Sequence, residues 1–353
     1  MPAPGALDTR AKVLLAVGLV LLVGFSVHRL WLAPPAAGPY ASLAGATMGT
    51  TWSVKIAGEQ ASDVDLAALG QTIQAELDEV VALMSTWEPD SEISRFNAIR
   101  STEPFRISAS TGAVLATALE TSRLSGGAFD ITVGPLVQAW GFGSEERRGA
   151  WPSAAKVEAL RGRVGWERLE LDLGFGTVRK EHPEMQVDLS AIAKGYAVDR
   201  VAARLLALGR HDWLVEVGGE LRAAGRKRDG SAWRVAIEQP DVIGRAIHLA
   251  VDLQDRAMAT SGDYRNFYEE NDVRISHTLD PRTGRPISHA LASVTVIDDT
   301  AMRADALATA LNVLGPEAGY ALSEELELAV YFILRTDGGF ETRSTPSFDA
   351  LLD

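Results

Sequence analysis

The spacing of apolar residues along the chain predicts four helices. The first covers residues 65–87, where apolar side chains recur every three or four positions, as one face of a helix requires: Leu66, Leu69, Ile73, Leu77, Val80 and Val81. Similar spacing predicts helices over residues 110–124, 187–208 and 302–314, and the last of these is expected to end at the Gly-Pro pair that follows it.

Between the third and the fourth helix the hydrophobic period changes to two, which predicts β-strands. The alternating segments are "WLVEVGGELRAAG", "WRVAIEQP", "AIHLAVDLQ", "RAMATSG" and "ALASVTVI", and the short polar turns between them favour antiparallel pairing. Further strands are predicted at "TMGTTWSVKIAG" and "LAVYFIL". Because helices and strands do not alternate regularly, we expect an α+β fold with mixed, largely antiparallel sheets flanked by helices.

The N-terminal part of the chain has a different pattern. Residues 13–27 form an uncharged apolar run of fifteen residues that follows two positive charges. A signal-peptide core has about 7–15 residues and a membrane-spanning helix about 20. We therefore expect residues 1–33 to be a hydrophobic signal peptide or signal-anchor helix, residues 34–45 to be a linker rich in Pro, Ala and Gly, and residues 46–353 to be one folded domain outside the cytoplasm.

Composition excludes several classes of function. The chain has 47 acidic and 34 basic residues, a net charge of −13, so it repels phosphate backbones and nucleic acid is not an expected partner. It has no cysteine, which excludes thiol catalysis, cysteine-bound metals, disulfides and a lipidated N-terminal cysteine. The six histidines are not clustered, which argues against a catalytic zinc site.

Two helical segments carry candidate chemistry. Asp305 and Thr309 are four residues apart and project from one helix face, and their oxygens suit Mg²⁺. Alternatively, Asp305 favours the helix N-terminus and Thr309 bonds back to the preceding turn. In "VDLSAIAKGYAVD", Asp188, Ser190 and Lys194 surround a helix start that could bind an anion. Asp188 or Ser190 could instead simply cap the helix.

Two loop segments add to this set. In "SGGAFDITVGPLVQAWGFG", the glycines before Ala128, Phe129 and Asp130 would let the backbone approach a ligand, or the segment could be an aromatic core beside a sharp turn. In "HTLDPRTGRP", His277 could act as a base, because the histidine side chain is the one whose ordinary titration range lies near neutrality. Asp280 could orient that histidine or could only form the turn.

Seven segments, in this order, resemble the ApbE-type FAD:protein FMN transferases: "MGTTWSVKI", "MSTWEPDSEISRFN", "GGAFDITVGPLVQAWGFG", "VDLSAIAKGYAVDR", "VGGELRAAG", "SHTLDPRTGRP" and "ADALATAL". The resemblance spans roughly Thr47 to Leu334. It implies an ApbE-like fold and a Mg²⁺-dependent reaction. In that reaction the pyrophosphate of FAD is cleaved, the FMN half passes to a threonine or serine hydroxyl of a target protein, and AMP is released.

The resemblance also implies roles for individual residues. FAD contacts are expected from Met48, Trp87, Ala128, Phe129, Asp130, Asp188 and Lys194. The Mg²⁺ ligands are expected to be the carbonyl of Ala191, the carboxylate of Asp305 and the hydroxyl of Thr309, and His277 is the expected general base. Trp87 departs from the family pattern, in which tyrosine is more common. Stacking on the flavin should survive because the indole has the larger π-face, but a role of the tyrosine hydroxyl in selecting protein over water is in doubt.

Two other functions stay open. The same site could hydrolyse FAD to FMN and AMP, or the protein could be a non-catalytic exported flavin-binding protein. For a transferase, the resemblance implies an acceptor in a membrane electron-transfer complex, such as a sodium-pumping quinone reductase. It also implies a location at the bacterial inner membrane with the catalytic domain in the periplasm, anchored by the N-terminal helix, or an exported soluble form if that helix is cleaved.

Overall fold

The computed structural model describes residues 40–57, 65–144, 151–240, 247–262, 267–270 and 273–352. The expected signal-anchor, residues 1–33, lies outside the described residues, as do residues 34–39 of the expected linker. None of the helices within the described ranges combines the length and the apolar character that crossing a bilayer requires.

An eight-stranded antiparallel sheet forms the centre of the molecule. In spatial order its strands are β1 (Tyr40–Thr47), β2 (Thr50–Ala57), β6 (Trp213–Val217), β7 (Glu220–Ala224), β10 (Ala257–Gly262), β15 (Leu291–Asp298), β16 (Ala329–Thr336) and β17 (Gly339–Ser344). Every pairing in this sheet is antiparallel, which confirms the predicted pairing and the α+β class.

Smaller sheets surround the central one. They are the sheet of β3 (Phe105–Arg106), β4 (Leu169–Asp172) and β5 (Thr177–Lys180), and the pairs β8 (Trp233–Glu238) with β9 (Ile247–Leu253), β11 (Phe267–Glu270) with β12 (Val273–Ser276), and β13 (Leu279–Asp280) with β14 (Arg285–Pro286). The described helices are α1 (Leu66–Met84), α2 (Glu92–Ala98), α3 (Ala109–Leu124), α4 (Gly134–Ala139), α5 (Ala154–Arg161), α6 (Ala193–Ala207), α7 (Ala301–Glu325) and α8 (Pro346–Asp349).

The central sheet is buried on both faces. In β6, Val215 packs with apolar residues of α1 and α6 in the main core, whereas its neighbour Leu214 points to the opposite face. There it joins a second core that includes Trp233 of β8 and Leu253 of β9. Successive side chains of a strand alternate between faces, so α1, α6 and α7 cover one face of the sheet, and the β8–β9 pair with α8 covers the other.

The predicted linker is wrong for residues 40–45, which form the beginning of β1. The glycine at the end of this segment serves a packing function. Gly45 pairs with Trp52 of β2, and a Cβ at position 45 would lie 2.6 Å from the indole Nε1. The glycine therefore leaves room for the buried indole, whose N–H donates to Gln74 on α1 over 2.9 Å.

One predicted helix limit is also wrong. The third helix, expected from residue 187, begins at Ala193, because the preceding segment is held in a non-helical path by side chains described below. The fourth helix is interrupted at the Gly-Pro pair as predicted, with Gly315 non-helical at φ 78° and ψ −175°, and a second helical segment that was not predicted continues α7 to Glu325. Pro316 then starts the second half of α7, since proline is tolerated in the first turn of a helix.

Lys180 on β5 is a buried cation with a structural role. Its side chain is 1% exposed. Its ammonium donates to the carbonyl of Phe96 (3.2 Å) and to that of Met185 (3.0 Å). Burial, with a smaller effect from the charge of Arg100, lowers the pKa of Lys180 from 10.5 to about 8. The lysine thereby ties the end of α2 to the segment that leads into residues 187 and 188.

We expect the stabilising effect of Lys180 to increase with pH. The folded protein releases the proton near pH 8 and the unfolded chain near 10.5, so between these values the unfolded state binds more protons and the free energy of unfolding rises with pH. Relative to a Lys180→Met variant, the wild type should gain about 1–2 kcal/mol between about pH 7.5 and 9.5 in urea unfolding. The exposed Lys156, changed to methionine, controls for general alkaline effects. A difference independent of pH would contradict the lowered pKa.

Candidate functional site

Three elements of the fold meet at a cluster of charged side chains. Lys194, in the first turn of α6, places its Nζ 2.9 Å from Glu220 Oε1 on β7 and 3.6 Å from Asp305 Oδ2 on α7. The backbone N–H of Gly195 donates to the same Asp305 oxygen over 3.0 Å. The two sequence-predicted residues Lys194 and Asp305 are therefore in one site, and Glu220 joins them.

The close packing of α6 on the start of α7 builds this cluster. A Cβ at Gly195 would lie 2.2 Å from the carbonyl oxygen of Ala301, so only glycine allows this approach. One turn further along α6, Asp199 accepts hydrogen bonds from the N–H groups of Ala301 (3.1 Å) and Met302 (2.9 Å), and an ion pair from Arg222 of β7 (2.7 Å). Asp199 thus satisfies the open N-terminus of α7 and fixes it against α6 and β7.

The electrostatics of the cluster follow from its burial. Glu220 is 4% exposed and Asp305 is 5% exposed. Burial raises the pKa of Glu220 to about 7; the ammonium of Lys194 opposes this effect and the charge of Asp305 adds to it. Burial disfavours the charged form of Lys194, but Asp305 and Glu220 outweigh it and raise the pKa of the ammonium above its usual range.

Oxygen atoms that suit a divalent cation lie around Asp305. The contacts with Gly195 and Lys194 both involve Oδ2, and no described residue donates a hydrogen bond to Oδ1. Thr309 follows one helical turn later with a partly exposed side chain, and Ala191 lies just before α6. No group of three or more His, Asp or Glu side chains suited to a metal occurs among the described residues. Mg²⁺ commonly takes one or two carboxylates plus substrate phosphates, so this donor set fits it.

The structure also decides between the alternatives for these helices. The N-cap of α7 is Thr300, and Asp305 lies in the second turn with its carboxylate facing α6, so it is not a residue of the helix N-terminus. The residue before α6 is Ile192, which makes no side-chain cap. Asp188 instead accepts the N–H of Ser190 over 2.8 Å, so neither residue caps α6.

A cleft of about 210 Å³ brings three of the sequence motifs together. Thr86, Gly143 and Asp188 line it, each from a different motif. Trp87, next to Thr86, is 63% exposed. A residue with a large exposed indole thus directly follows a residue that lines the cleft.

Asn97 holds Asp188 at this cleft. Its side-chain amide donates to the carbonyl of Val187 (2.8 Å) and its amide oxygen accepts the N–H of Val187 (2.7 Å). The N–H of Asp188 then donates to the carbonyl of Ile131 over 2.7 Å. These bonds tie the end of α2 and the loop after Asp130 to the segment before α6, which explains why that segment is not helical.

In the Ala128–Asp130 turn, the side chains support the local structure. Ala128 and Phe129 are buried in apolar clusters. The carboxylate of Asp130 accepts from Thr132 with one oxygen (2.7 Å) and from the N–H of Trp166 with the other (3.0 Å). Burial raises the pKa of Asp130, and these hydrogen bonds oppose the rise. The aromatic-core alternative therefore describes the side chain of Phe129.

The loop that carries His277 packs against this turn and against α7. The N–H of Ile287 donates to the carbonyl of Thr278 over 3.0 Å. Ile287 belongs to one apolar cluster with Ala128 and Val313, and Val313 is one helical turn beyond Thr309. The His277 loop, the Ala128–Asp130 turn and the Asp305–Thr309 helix therefore converge.

The side chain of His277 is half-buried. Its ring meets the ring of Phe142 edge-on, with centroids 6.3 Å apart, and Phe142 precedes the cleft residue Gly143. Asp280 does not orient the histidine through its carboxylate, which pairs with Arg282 over 2.9 Å and accepts that residue's N–H. Asp280 is the turn-forming residue of the loop.

Met48 lies in the tight turn between β1 and β2. It has φ 49° and Gly49 has φ 70°, and the Met48 side chain packs on the main core. Thr50, which follows Gly49, lies close to the glycine turn between β6 and β7. A Cβ at Gly218 in that turn would lie 2.9 Å from Thr50 Cγ2 and 3.2 Å from Lys194 Cδ. The Met48 turn therefore borders the lysine side of the cluster.

Sequence reasoning assigned no role to Glu220, Asn97 or Asp199, although each lies within a quoted motif. The available signal for Glu220 was a carboxylate directly after two glycines at the start of an apolar strand. Because inward-facing carboxylates are rare in strands, that position could have marked it as part of a site.

The fold and the cluster together define a class of protein. The architecture is shared by a flavin transferase ApbE from Vibrio cholerae, with a TM-score of 0.82 and 44% identity over 88% of this chain and 99% of that one. It is also shared by a flavinyl transferase ApbE from Pseudomonas stutzeri, with a TM-score of 0.81 and 42% identity over 88% of this chain and 96% of that one. Both of these solved structures are named as flavin transferases.

Sequence comparison identifies the family. The ApbE family model matches residues 48–332. A relative named FAD:protein FMN transferase from Vibrio cholerae is 45% identical over 310 residues, which cover 88% of this chain and 92% of that protein. One of the same name from Escherichia coli K12 is 40% identical over 312 residues, 88% of each chain. The chain belongs to the ApbE family, as its motifs predicted.

Proposed function

We propose that this protein transfers the FMN half of FAD to a threonine or serine hydroxyl of an acceptor protein, with Mg²⁺ as the cofactor and AMP as the leaving group. One observation supports this above the others. A cluster of one lysine and two buried carboxylates, which has an oxygen donor set suited to Mg²⁺, lies in a fold that this chain shares with solved flavin transferases. Membership of the family supports FAD as substrate and a protein as acceptor.

Each group in the site has a chemical task in this reaction. Asp305, Thr309 and the Ala191 carbonyl would hold Mg²⁺, which supplies positive charge to the diphosphate of FAD. Lys194 faces the same phosphates as a fixed cation. Trp87 and the backbone of residues 128–130 bind the flavin nucleotide and orient it.

His277 serves as the general base. A ring nitrogen accepts the proton of the acceptor hydroxyl as that oxygen attacks the phosphorus of the FMN phosphoryl group. The new P–O bond forms as the bond to the AMP phosphate breaks, and AMP leaves with the electron pair. Histidine suits this task because its proton exchange falls near neutral pH.

FAD hydrolysis is the second candidate function. The exposed Trp87 favours it, because an indole stacks on a flavin but lacks the hydroxyl of the more common tyrosine. Without that hydroxyl, water can compete with the acceptor. The third possibility, binding without catalysis, is disfavoured by the intact set of His277, Asp305 and Thr309.

One incubation separates the three functions. The full chain is mixed with FAD, Mg²⁺ and a candidate acceptor domain, and the products are resolved on a denaturing gel and by chromatography. Covalent flavin fluorescence on the acceptor with release of AMP supports transfer. Free FMN and AMP without labelled acceptor indicate hydrolysis, and unchanged FAD indicates binding only.

Asp305→Ala should remove activity at every Mg²⁺ concentration tested, and full activity of this variant would contradict the assigned cation site.

Trp87→Ala should weaken FAD binding by about fivefold, because aromatic stacking contributes about 1 kcal/mol beyond the area that is buried. Titration of flavin fluorescence measures the change. Trp87→Tyr should retain the affinity. Phe175→Ala is the matched control, since that ring is 78% exposed on the β4–β5 turn. Equal loss of affinity in the Phe175 and Trp87 variants would show that Trp87 has no specific contact with flavin.

We further propose that the acceptor belongs to a membrane electron-transfer complex and that the apolar N-terminal run keeps the enzyme at the inner membrane, facing the periplasm. The uncharged run of residues 13–27 supports the second statement. In a strain that lacks this gene, the acceptor should lose its covalent flavin. Cell fractionation with and without residues 1–33 tests the anchor.

A further inference from the structure

The Lys194 ammonium lies between two carboxylates and is bound more closely by one of them. Its Nζ is 2.9 Å from Glu220 Oε1, within hydrogen-bonding distance, and 3.6 Å from Asp305 Oδ2. Among the described residues these are its two carboxylate neighbours within 4 Å. Glu220 is thus the principal counter-ion of the lysine, although the residue proposed to bind the cation is Asp305.

The backbone turn before Glu220 holds its carboxylate and the Lys194 side chain next to each other. Gly218 has φ +63°, and a Cβ there would lie 3.2 Å from Lys194 Cδ and 3.5 Å from Glu220 Oε2. The turn therefore packs directly on the lysine stem and on the carboxylate. The N–H of Gly219 is held by Glu216 Oε1 over 2.9 Å, which fixes the turn in place.

Glu220 also has an unused oxygen in a buried position. No described residue donates a hydrogen bond to Oε2, and the side chain is almost completely buried. A buried carboxylate oxygen that accepts no hydrogen bond costs free energy. We therefore look for its role in the charge balance of the cluster. With Glu220 in place, two carboxylates and one ammonium leave the cluster with one net negative charge. Without Glu220 that negative charge would be cancelled.

We infer that Glu220 is a positioning residue that holds the Lys194 ammonium off Asp305 and so keeps the Asp305 carboxylate available to a divalent cation. If Glu220 were neutral, Asp305 would be the one carboxylate left near the lysine. The ammonium would then pair with Asp305 and compete with the cation for it. This inference rests on the cation site proposed above.

Mn²⁺ binding tests the inference without relying on turnover. The full chain with FAD is titrated with Mn²⁺ at about pH 8, above the raised pKa of Glu220, and free Mn²⁺ is measured by electron paramagnetic resonance. Wild type is compared with Glu220→Gln, Lys194→Met, the double variant Glu220→Gln/Lys194→Met, and Asp305→Ala. Thermal unfolding without metal verifies that each variant is folded.

We expect Glu220→Gln to raise the Kd for Mn²⁺ by roughly tenfold, because one unit of charge is removed close to the cation. With FAD held at a concentration that saturates every variant, Lys194→Met should bind Mn²⁺ at least as tightly as wild type. The double variant has the same net charge as wild type and lacks the competing ammonium, so its Kd should return to within about threefold of wild type. This order supports the positioning role, since a purely structural role would make the double variant the weakest.

Two results would overturn the role of Glu220 and leave the proposed cation site intact. In the first, Asp305→Ala loses Mn²⁺ binding while Glu220→Gln binds Mn²⁺ as wild type does. In the second, the double variant binds Mn²⁺ as weakly as Glu220→Gln. If wild type takes up no Mn²⁺ beyond that held by FAD, or if Asp305→Ala binds normally, the proposed cation site itself is wrong and the role of Glu220 is refuted with it.

Discussion

Replacing His277 with alanine is expected to lower the rate of FMN transfer by roughly 10²–10⁴-fold, the usual contribution of a general base. The FAD affinity should stay within about threefold of wild type, because a residue that acts on the acceptor proton contributes mainly to the transition state. The expectation rests on the position of the imidazole, which is half-buried against Phe142, next in the chain to the cleft residue Gly143, in a loop packed against α7. Transfer is followed by covalent fluorescence of the acceptor, and binding by titration of FAD.

A second histidine provides the control. His248 on β9 bonds the Tyr331 hydroxyl over 2.9 Å, beside the second core rather than at the cleft. His248→Ala should retain the transfer rate. If the His277 variant transferred FMN within a few-fold of wild type, the base would have to be another group. If it lost FAD binding instead, His277 would be a substrate ligand.

Gly195→Ala should have the largest effect on both stability and activity. The added Cβ would lie 2.2 Å from the Ala301 carbonyl oxygen and 2.8 Å from Met302 Cα, which are backbone atoms that cannot rotate away. The two helices must separate, and overpacking of this kind costs about 1–3 kcal/mol or more. Because the Gly195 N–H also binds Asp305 Oδ2, the separation should displace the proposed cation ligand and reduce transfer by more than the loss of stability explains.

Gly70→Ala is the matched control for Gly195→Ala. Both glycines are inside helices, but a Cβ at Gly70 meets only Leu43 Cδ2, at 3.8 Å. Alanine is favoured over glycine in a helix interior, so this variant should gain about 0.5–1 kcal/mol and keep its activity. Urea unfolding measures both changes. Equal stability of the two variants would show that α6 and α7 are not packed as closely as described.

Much of the fold could be predicted because its signals are local. Strand alternation in "WLVEVGGELRAAG" indicated the β6–β7 hairpin, and the apolar face of residues 65–87 indicated α1. The prediction failed where residues act through distant partners. Residues 40–45 looked like a linker although they begin a strand, and the reason for the glycine at position 45 is the room it leaves for Trp52, which lies on another strand.

The candidate site divides in the same way. Asp305 and Thr309 could be paired from helix spacing, and Lys194 could be placed at a helix start. The helix limits near these residues could not be predicted, because the segment that begins at Val187 is held out of α6 by the side chain of Asn97 on another element. The roles of Asp130 and Asp280 also depended on which donors surround them, and both proved to hold local structure.

The sequence by itself determined the types of elements, the family and the chemical groups available to the site, because period, turn residues and motif order are properties of neighbouring positions. Only the tertiary structure decided which of these groups meet. Lys194 and Glu220 are 26 positions apart in the chain, and Gly195 and Asp305 are 110 apart. Their contact exists because a glycine lets two helices touch, and no local pattern encodes the distance between two such elements.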